Sequence, residues 1–404
     1  MTRALDSIKV VDLSRILAGP WASQMLADMG AEVIKVERPK KGDDTRFWGP
    51  PFIRSARAEQ PPQAAYFHGI NRNKQSIAID ITQVQGQQVI KDLIAQADVL
   101  IENYKVGGLS KYGLDYKSVK AINPGLVYCS ITGFGQSGPS AHKAVYDAMI
   151  QGEGGLMSIT GEPDGMPMKV GVAVVDIMTG LYASNAILAA LMARHHTNEG
   201  QHIDISLLDV QVATLANQGM NYLASGNNPP RLGNGHPNIV PYQTFATQDG
   251  NIILAVGNDQ QFVKFCQVAQ CETLAQNKMY CTNAQRVHNR NTLIPIIAGT
   301  MASHKTQWWV EQLESVSVPC GPVNTLDQVF NHPQIKHRAM VKQVANCHGE
   351  FVDIIASPIN LSATPLQYNS ASPDLGQHSQ QILSKTLNYN QDEINTLFNH
   401  DIVS

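Results

Sequence analysis

Asp176 is the only acid between Lys169 and Met192, in the stretch KVGVAVVDIMTGLYASNAILAALM, where small and apolar residues otherwise prevail. A carboxylate in such a setting has two uses. At a helix start it accepts backbone N–H bonds and is favoured by the helix dipole. Held partly out of water against a substrate, it is a nucleophile of raised reactivity. The residues around Asp176 leave both uses open. A second concentration of chemistry lies in residues 37–75. There Arg38, Lys40, Lys41, Arg46, Arg54, Arg57, Arg72 and Lys74 alternate with Phe47, Trp48, Phe52, Tyr66 and Phe67. Cations beside aromatic rings suit a ligand that carries phosphates and a flat ring. A solvated surface loop has the same composition, and this alternative also stands. No GxSxG elbow and no phosphate-binding P-loop occurs. His195, His196 and His202 lack the helical spacing with acids that a metal needs, so no metal is expected.

The elements that must position these residues follow an α/β alternation. IKVVDL (8–13) reads as a parallel-type strand, LAGPWASQMLADMG (17–30) as a loop entering a helix, and AEVIKVE (31–37) as the next strand. The unit has the length of a dinucleotide fold, but the turn reads AGPWAS where GxGxxG should stand. The topology is therefore expected to be Rossmann-like, without nicotinamide. Strands follow at 76–81, 98–104 and 126–135, with a helix at 85–97. Strands and helices alternating at this spacing specify an open parallel sheet, whose ligands sit beyond the carboxyl ends of the strands. Arg38, Asn103, Lys105 and Gly133 to Gly138 all follow strand ends, where one ligand could touch them together. A buried helix is expected over 177–192 and a second long one over 205–226.

At 404 residues the chain exceeds one ordinary hydrophobic core. An Asn-, Gly- and Pro-rich change of texture after residue 226 marks a crossing to a second domain. The expected division is 1–225, 226–325 and a C-terminal segment 326–404. A net charge of -3 argues against nucleic acid or an anionic membrane as partner. No run of about 18 apolar residues predicts a transmembrane helix. Six cysteines without a CxxC pair, and an N-terminus without a signal-peptide core, suit reduced thiols in the cytoplasm.

Taken in order, LSRILAGPWASQMLADMGAEVIKVERP, GDDTRFWGPPF, NRNKQSIAIDI, VLIENY, SITGFGQSGP, VYDAMIQG and VGVAVVDIMTGLYA resemble the class III coenzyme A transferases. The resemblance covers nearly the whole chain. Within that family GDDTRFWGPPF, NIVPYQTF, NDQQF, QRVHNRN and VPCGPVNT are most similar to the succinyl-CoA:glutarate branch. The resemblance implies a large Rossmann-like domain built from both chain ends, a smaller α+β domain and an interlocked homodimer. It implies CoA transfer from succinyl-CoA or another dicarboxylyl-CoA to glutarate or a similar dicarboxylate. Asp176 would be the nucleophile, passing through an aspartyl anhydride and an aspartyl-CoA thioester. CoA would be a substrate, with no further cofactor.

The same resemblance assigns CoA contacts to Leu17, Ala18, Arg38, Arg72, Asn73, Lys74, Gln75, Asn103, Tyr104 and Lys111. Trp48 and Tyr146 would neighbour the reacting groups. Gly233, Asn234 and Gly235, followed by His236, match the family's glycine loop in shortened form, with backbone N–H groups as candidate oxyanion donors. Leu17 replaces a glutamine of formyl-CoA transferases, and Ala144 a lysine of some members. For a distal substrate carboxylate the candidate cations are Arg46, Arg54 and His236. Two other readings are an α-methylacyl-CoA racemase and a CoA-binding protein without turnover. The racemases carry a histidine where this chain has Tyr146, and a phenol of pKa about 10 is a poor base at neutral pH.

Overall fold

The computed structural model describes residues 3–53 and 62–404. The chain forms two compact units. The first comprises residues 1–154, 171–214 and 333–404, the second residues 155–170 and 215–332.

Six strands form the sheet of the first unit: β1 (Lys9–Asp12), β2 (Glu32–Glu37), β3 (Lys74–Ala78), β4 (Val99–Glu102), β5 (Val127–Thr132) and β6 (His202–Ser206). All neighbours run parallel, in the order β3-β2-β1-β4-β5-β6. This is the Rossmann strand order, which reverses direction between β1 and β4. Side chains alternate between two cores, one on each face, as the period of a strand requires. Val11, Ile34, Leu100 and Tyr128 face one core, which also receives Ile382, Leu383, Ile394 and Leu397 from the C-terminal segment. Val10, Val33, Val99 and Val127 face the other. The last residues dock along β3: Val403 bridges Ile79, and the Ser404 amide donates to the Ala78 carbonyl at 3.1 Å. The large unit is thus built from both chain ends, as the resemblance implies.

Helices α1 (Ala18–Asp28) and α2 (Val84–Ala95) flank the sheet on opposite faces. Two more helices bear on the site, α3 (Asp147–Glu153) and α4 (Val174–Thr197). Val175, Thr179, Ala183, Ile187 and Ala190 recur at helical spacing along α4 and are buried. Their small size lets α4 lie close on α1. Closest is Gly180, where an added Cβ would stand 2.8 Å from the Ala18 carbonyl and 3.0 Å from Trp21. Asp176 lies one helical turn before this contact, which brings it toward Ala18. At 24 residues α4 is long and apolar enough to cross a membrane by length and composition. A core helix passes the same test, and α4 buries Val175, Ala183, Ile187, Ala190 and Leu191 against the sheet and α1, so the expectation of no transmembrane helix is not overturned.

Several expectations are corrected. The sixth strand, HIDIS, was not anticipated, because its alternation is short and polar on one side. The single helix expected over 205–226 is two: Leu207–Ala213 and Ala216–Ser225, with Ala216 at a φ of 49° between them. The chain passes from the first unit to the second at this break, earlier than residue 226, and it returns at Pro333 rather than at 326. Residues 155–170, expected in the large domain, belong to the second unit.

The second unit holds a three-stranded antiparallel sheet, with Asn251–Ala255 between Cys320–Pro322 and Tyr242–Ala246. Helices Asp259–Val268, Arg290–Met301 and Thr306–Ser315 share its core, which contains Phe245, Leu254, Phe262 and Trp309. Gly180→Ala is expected to cost about 1–3 kcal/mol, because the contact is with backbone and cannot relax by rotation of a side chain. A thermal melt equal to that of the native chain would contradict the close approach of α1 and α4.

Candidate active site

An open cavity of about 1110 Å³ lies at the carboxyl ends of β1, β3, β4 and β5. It occupies the place where the strand order reverses, where open α/β sheets bind ligands. Its wall includes the turn after β1, with Arg15, Ile16, Leu17 and Ala18. Asn103, just beyond β4, ties the two sides of the reversal together. Its side-chain oxygen accepts the Arg15 amide at 2.9 Å, and its Nδ2 donates to the Arg15 carbonyl at 2.7 Å. Arg15, Arg38, Lys40, Lys41, Lys105, Lys111 and Lys143 line the cavity, against the carboxylates of Asp80, Asp176 and Asp401. This excess of cations favours a polyanionic ligand. Asp44 holds both guanidinium groups in the wall, accepting from Arg15 and from Arg38 at 2.8 Å each.

Asp176 lies in the wall of this cavity, but it does not cap its helix. That task falls to Asp147 at the start of α3, whose Oδ2 accepts the Val175 amide at 2.8 Å and the Asp176 amide at 3.2 Å. Among the described residues no donor reaches the Asp176 carboxylate. Burial, and secondarily the charge of Asp147, push the Asp176 carboxyl up to about 7. The nearby Tyr66 hydroxyl is pushed up to about 12, first by burial and then by the charges of Asp176, Asp147 and Asp43. The ring of Trp48 packs edge-on against Tyr66, with centroids 5.5 Å apart.

Of the residues assigned from sequence, Leu17, Ala18, Arg38, Asn103, Tyr104, Lys111, Tyr146 and Asp176 come together around this cavity. Trp48, Arg72, Asn73, Lys74 and Gln75 do not line it. Arg72 is instead buried, donating twice to Asp28 at 2.9 and 2.5 Å and once to the Ile355 carbonyl at 3.0 Å. Asn73 binds the backbone of Gln367, Asn369 and Ser370. Lys74 is fully buried, with its ammonium on Asp12, the Pro20 carbonyl and Asn71. Arg72 and Asn73 therefore anchor the C-terminal segment, and Lys74 neutralises the end of β1.

Arg46 is likewise committed. It is buried and pairs with Glu37 at 2.8 and 2.6 Å, binds Gln63 and the Pro373 carbonyl, and lies 3.8 Å over the Phe67 ring. This corrects its candidacy for a substrate carboxylate. Arg54 and Arg57 fall outside the described residues.

Gly233, Asn234, Gly235 and His236 lie in the second unit. The amides of Gly233, Gly235 and His236 already donate to the carbonyls of Gly161, Leu232 and Tyr242, at 3.0, 2.8 and 2.9 Å. Only the Asn234 amide lacks an acceptor among the described residues, so the expected pair of glycine donors for an oxyanion is corrected. The His236 ring is stacked on Tyr242, and burial and Arg290 lower its pKa.

Sequence reading missed Arg15, Lys143 and the run Ile79 to Thr82 as cavity residues. The last was within reach of the strand-end rule, since β3 ends immediately before it. One metal-capable cluster was also missed: Cys347, His348 and Asp374 converge, with the His348 Nε2 2.8 Å from Asp374. None of the three lines the cavity.

A parallel sheet with a basic cavity at its reversal, and an elevated carboxyl group in the cavity wall, describes an α/β enzyme that holds an anionic ligand against an acid. The chain belongs to CoA-transferase family III, whose description matches residues 5–379, and it is a CoA-transferase. It is 50% identical over 381 residues to the succinate–glutarate CoA-transferase of Agrobacterium fabrum, covering 94% of this chain and 95% of that one. It is 41% identical to the succinyl-CoA:glutarate CoA-transferase of Homo sapiens, covering 99% and 90% of the two chains. The crystal structure of a CAIB/BAIF family protein from Brucella suis superposes with a TM-score of 0.84 at 50% identity, over 95% of this chain and all of that one.

The elevated Asp176 carboxyl fixes the sign of a stability effect. Between the unfolded pKa of about 3.9 and the folded value of about 7, only the folded state holds the proton. Its contribution to stability is thus full below the unfolded pKa and is lost as pH rises through 7. Asp176→Asn, which cannot ionise, should melt higher than the native chain at pH 8 and show little difference at pH 4. A melting difference independent of pH would contradict the assignment.

Proposed function

We propose that the chain moves CoA from a dicarboxylyl-CoA such as succinyl-CoA to glutarate or a similar dicarboxylate, with Asp176 as nucleophile. The observation that carries this reading is the division of labour at the start of α4. Asp147 takes up the helix amides, which leaves the Asp176 carboxylate without a partner among the described residues in the wall of a basic cavity.

The Asp176 oxygen attacks the thioester carbonyl of the donor, and the C–S bond breaks to give an aspartyl acyl anhydride and CoA thiolate. The thiolate attacks the aspartyl carbonyl, releasing the donor's carboxylate and leaving an aspartyl-CoA thioester. The acceptor carboxylate attacks that thioester, forming a second anhydride and freeing the thiolate again. Attack of the thiolate on the acceptor's carbonyl gives the new acyl-CoA and restores Asp176. No net proton is taken up. The steps need a positioned, ionised carboxylate, and partial desolvation makes it more nucleophilic at the cost of its raised pKa. Leu17, Ala18, Arg38, Asn103, Tyr104 and Lys111 hold CoA in this reading. Tyr146, in the cavity wall, bounds the acyl end, and Tyr66, near Asp176 and backed by Trp48, lies behind it.

The substrates rest on those of the relatives, a succinate–glutarate and a succinyl-CoA:glutarate CoA-transferase. A homodimer, interlocked as the resemblance implies, is part of the same proposal. Its support is the apolar surface that the first unit leaves open at Tyr182, Met192 and Val212, each about half exposed.

Asp176→Ala should abolish transfer while CoA still binds; residual transfer at the native rate would remove Asp176 from the mechanism. The native rate should climb with pH to a plateau above about 7, as Asp176 ionises. With succinyl-CoA as donor, glutarate or succinate should outcompete formate, oxalate and carnitine. A preference for oxalate would overturn the substrate assignment.

A further inference from the structure

Ile16 has a φ of 72°. A β-branched residue in the left-handed region is strained, and the backbone around it must over-determine that conformation. The restraint is a ring of buried charges and backbone groups beneath the cavity. The Lys35 ammonium donates to the Ser14 carbonyl at 2.9 Å and pairs with Asp43 at 2.9 Å, both side chains being completely buried. The Asp43 carboxylate in turn accepts the Ile16 amide at 3.2 and 3.3 Å. Between these grips, Asn103 takes both the amide and the carbonyl of Arg15. Asp43 is itself anchored, since its amide donates to Glu37 at 2.9 Å and its Oδ1 accepts the Thr45 amide and hydroxyl at 3.0 and 2.8 Å.

The turn held in this way leads directly into α1. The amides of Leu17 and Ala18 at the head of α1 have no acceptor among the described residues, and both residues line the cavity. The direction in which that helix start faces is set by the conformation of Ile16.

We infer that the Lys35–Asp43 ion pair is a positioning device for ligand binding: it locks Ile16 in the left-handed conformation, so that the Ser14–Ala18 turn and the head of α1 form a ready-made wall for CoA. The inference rests on the reading of this cavity as the CoA site. Asp43 touches no ligand in it and acts through Ile16. The ion pair holds the wall before CoA arrives, so the ordering cost is met on folding and not on binding.

The test uses the full chain and CoA as the probe. Asp43→Asn should weaken CoA binding by titration calorimetry roughly tenfold, about 1.4 kcal/mol. It should raise KM for the acyl-CoA by a similar factor and leave kcat within about twofold. Glycine takes the left-handed conformation without strain, so adding Ile16→Gly to Asp43→Asn should restore most of the affinity, whereas adding Ile16→Ala should not. A purely structural role for the ion pair would lower the amount of active protein and would show no rescue by glycine. If Asp43→Asn does not fold, Ile16→Pro leaves Lys35 paired with Asp43 but removes the Ile16 amide that Asp43 holds and forbids a positive φ, and should show the same loss. Native affinity in Ile16→Pro, or in a folded Asp43→Asn variant, would overturn the inference. Amide exchange of the segment containing Ile16 should be slow in the native chain without ligand and faster in Asp43→Asn. That readout separates the two ideas: a native chain that binds no CoA defeats the CoA reading, while equal exchange in the two chains defeats the lock.

Discussion

Buried charges at the carboxyl ends of β1 and β2, met by Lys74 from the start of β3, hold the site in place. Asp12 ends β1, fully buried, with the ammonium of Lys74 at 3.2 Å and the hydroxyls of Ser14 and Ser23 each at 2.5 Å. Burial alone would raise its pKa, but Lys74 and Lys35 outweigh that and hold it below the usual carboxylate range. Asp43 is similarly brought down to about 2 against its burial, chiefly by Lys35. Glu37, the last residue of β2, forms a further buried pair with Arg46. Desolvating so many charges is expensive, and an apolar packing of equal volume could be as stable. What such pairs supply is direction: each fixed oxygen or nitrogen dictates where a loop must go. Three of these loops form the cavity.

The start of α4 shows the same logic in a smaller space. A helix N-terminus presents amides that need acceptors, and one acid could serve both as cap and as nucleophile. Here the tasks are divided. Asp147 satisfies the amides of Val175 and Asp176, and its own charge, added to burial, makes the neighbouring carboxyl harder to ionise. The arrangement works against stability at neutral pH, as strained functional groups commonly do. It also explains why helix α4 must lie close against α1. Gly180 permits that contact, and the approach delivers Asp176 to the turn that Lys35 and Asp43 hold.

The framework was legible because it is periodic. Short apolar, β-branched runs at β1, β2, β4 and β5, alternating with helices, specify a parallel sheet, and the strand-end rule pointed at Arg38, Asn103 and Lys105. The strand His202–Ser206 was lost because its alternation is short and polar on one side. The break at Ala216 was lost because nothing in its composition disfavours a continuous helix. Asp176 stood out as a lone acid in an apolar run, but its capping rival could be dismissed only once Asp147, distant in sequence, was seen to hold the amides.

The cations were the hardest to sort, for a physical reason. Composition places Arg38, Arg46, Arg72 and Lys74 in one basic, aromatic region, as though all met the same ligand. Folding separates them by partner. Arg46, Arg72 and Lys74 have buried carboxylates within reach and are themselves buried, so water and ligand are largely excluded from them. Arg38 shares Asp44 with Arg15 and keeps nearly half of its side-chain surface open to the cavity. A guanidinium of the first kind is bound to the framework, and one of the second kind is presented by it. The distinction depends on which acids lie opposite across the sheet, on Glu37, Asp28 and Asp12 rather than on the cations themselves. A stretch of sequence rich in arginine and aromatic residues therefore marks where charge is concentrated, and the tertiary pairing decides which of those charges remain for a ligand.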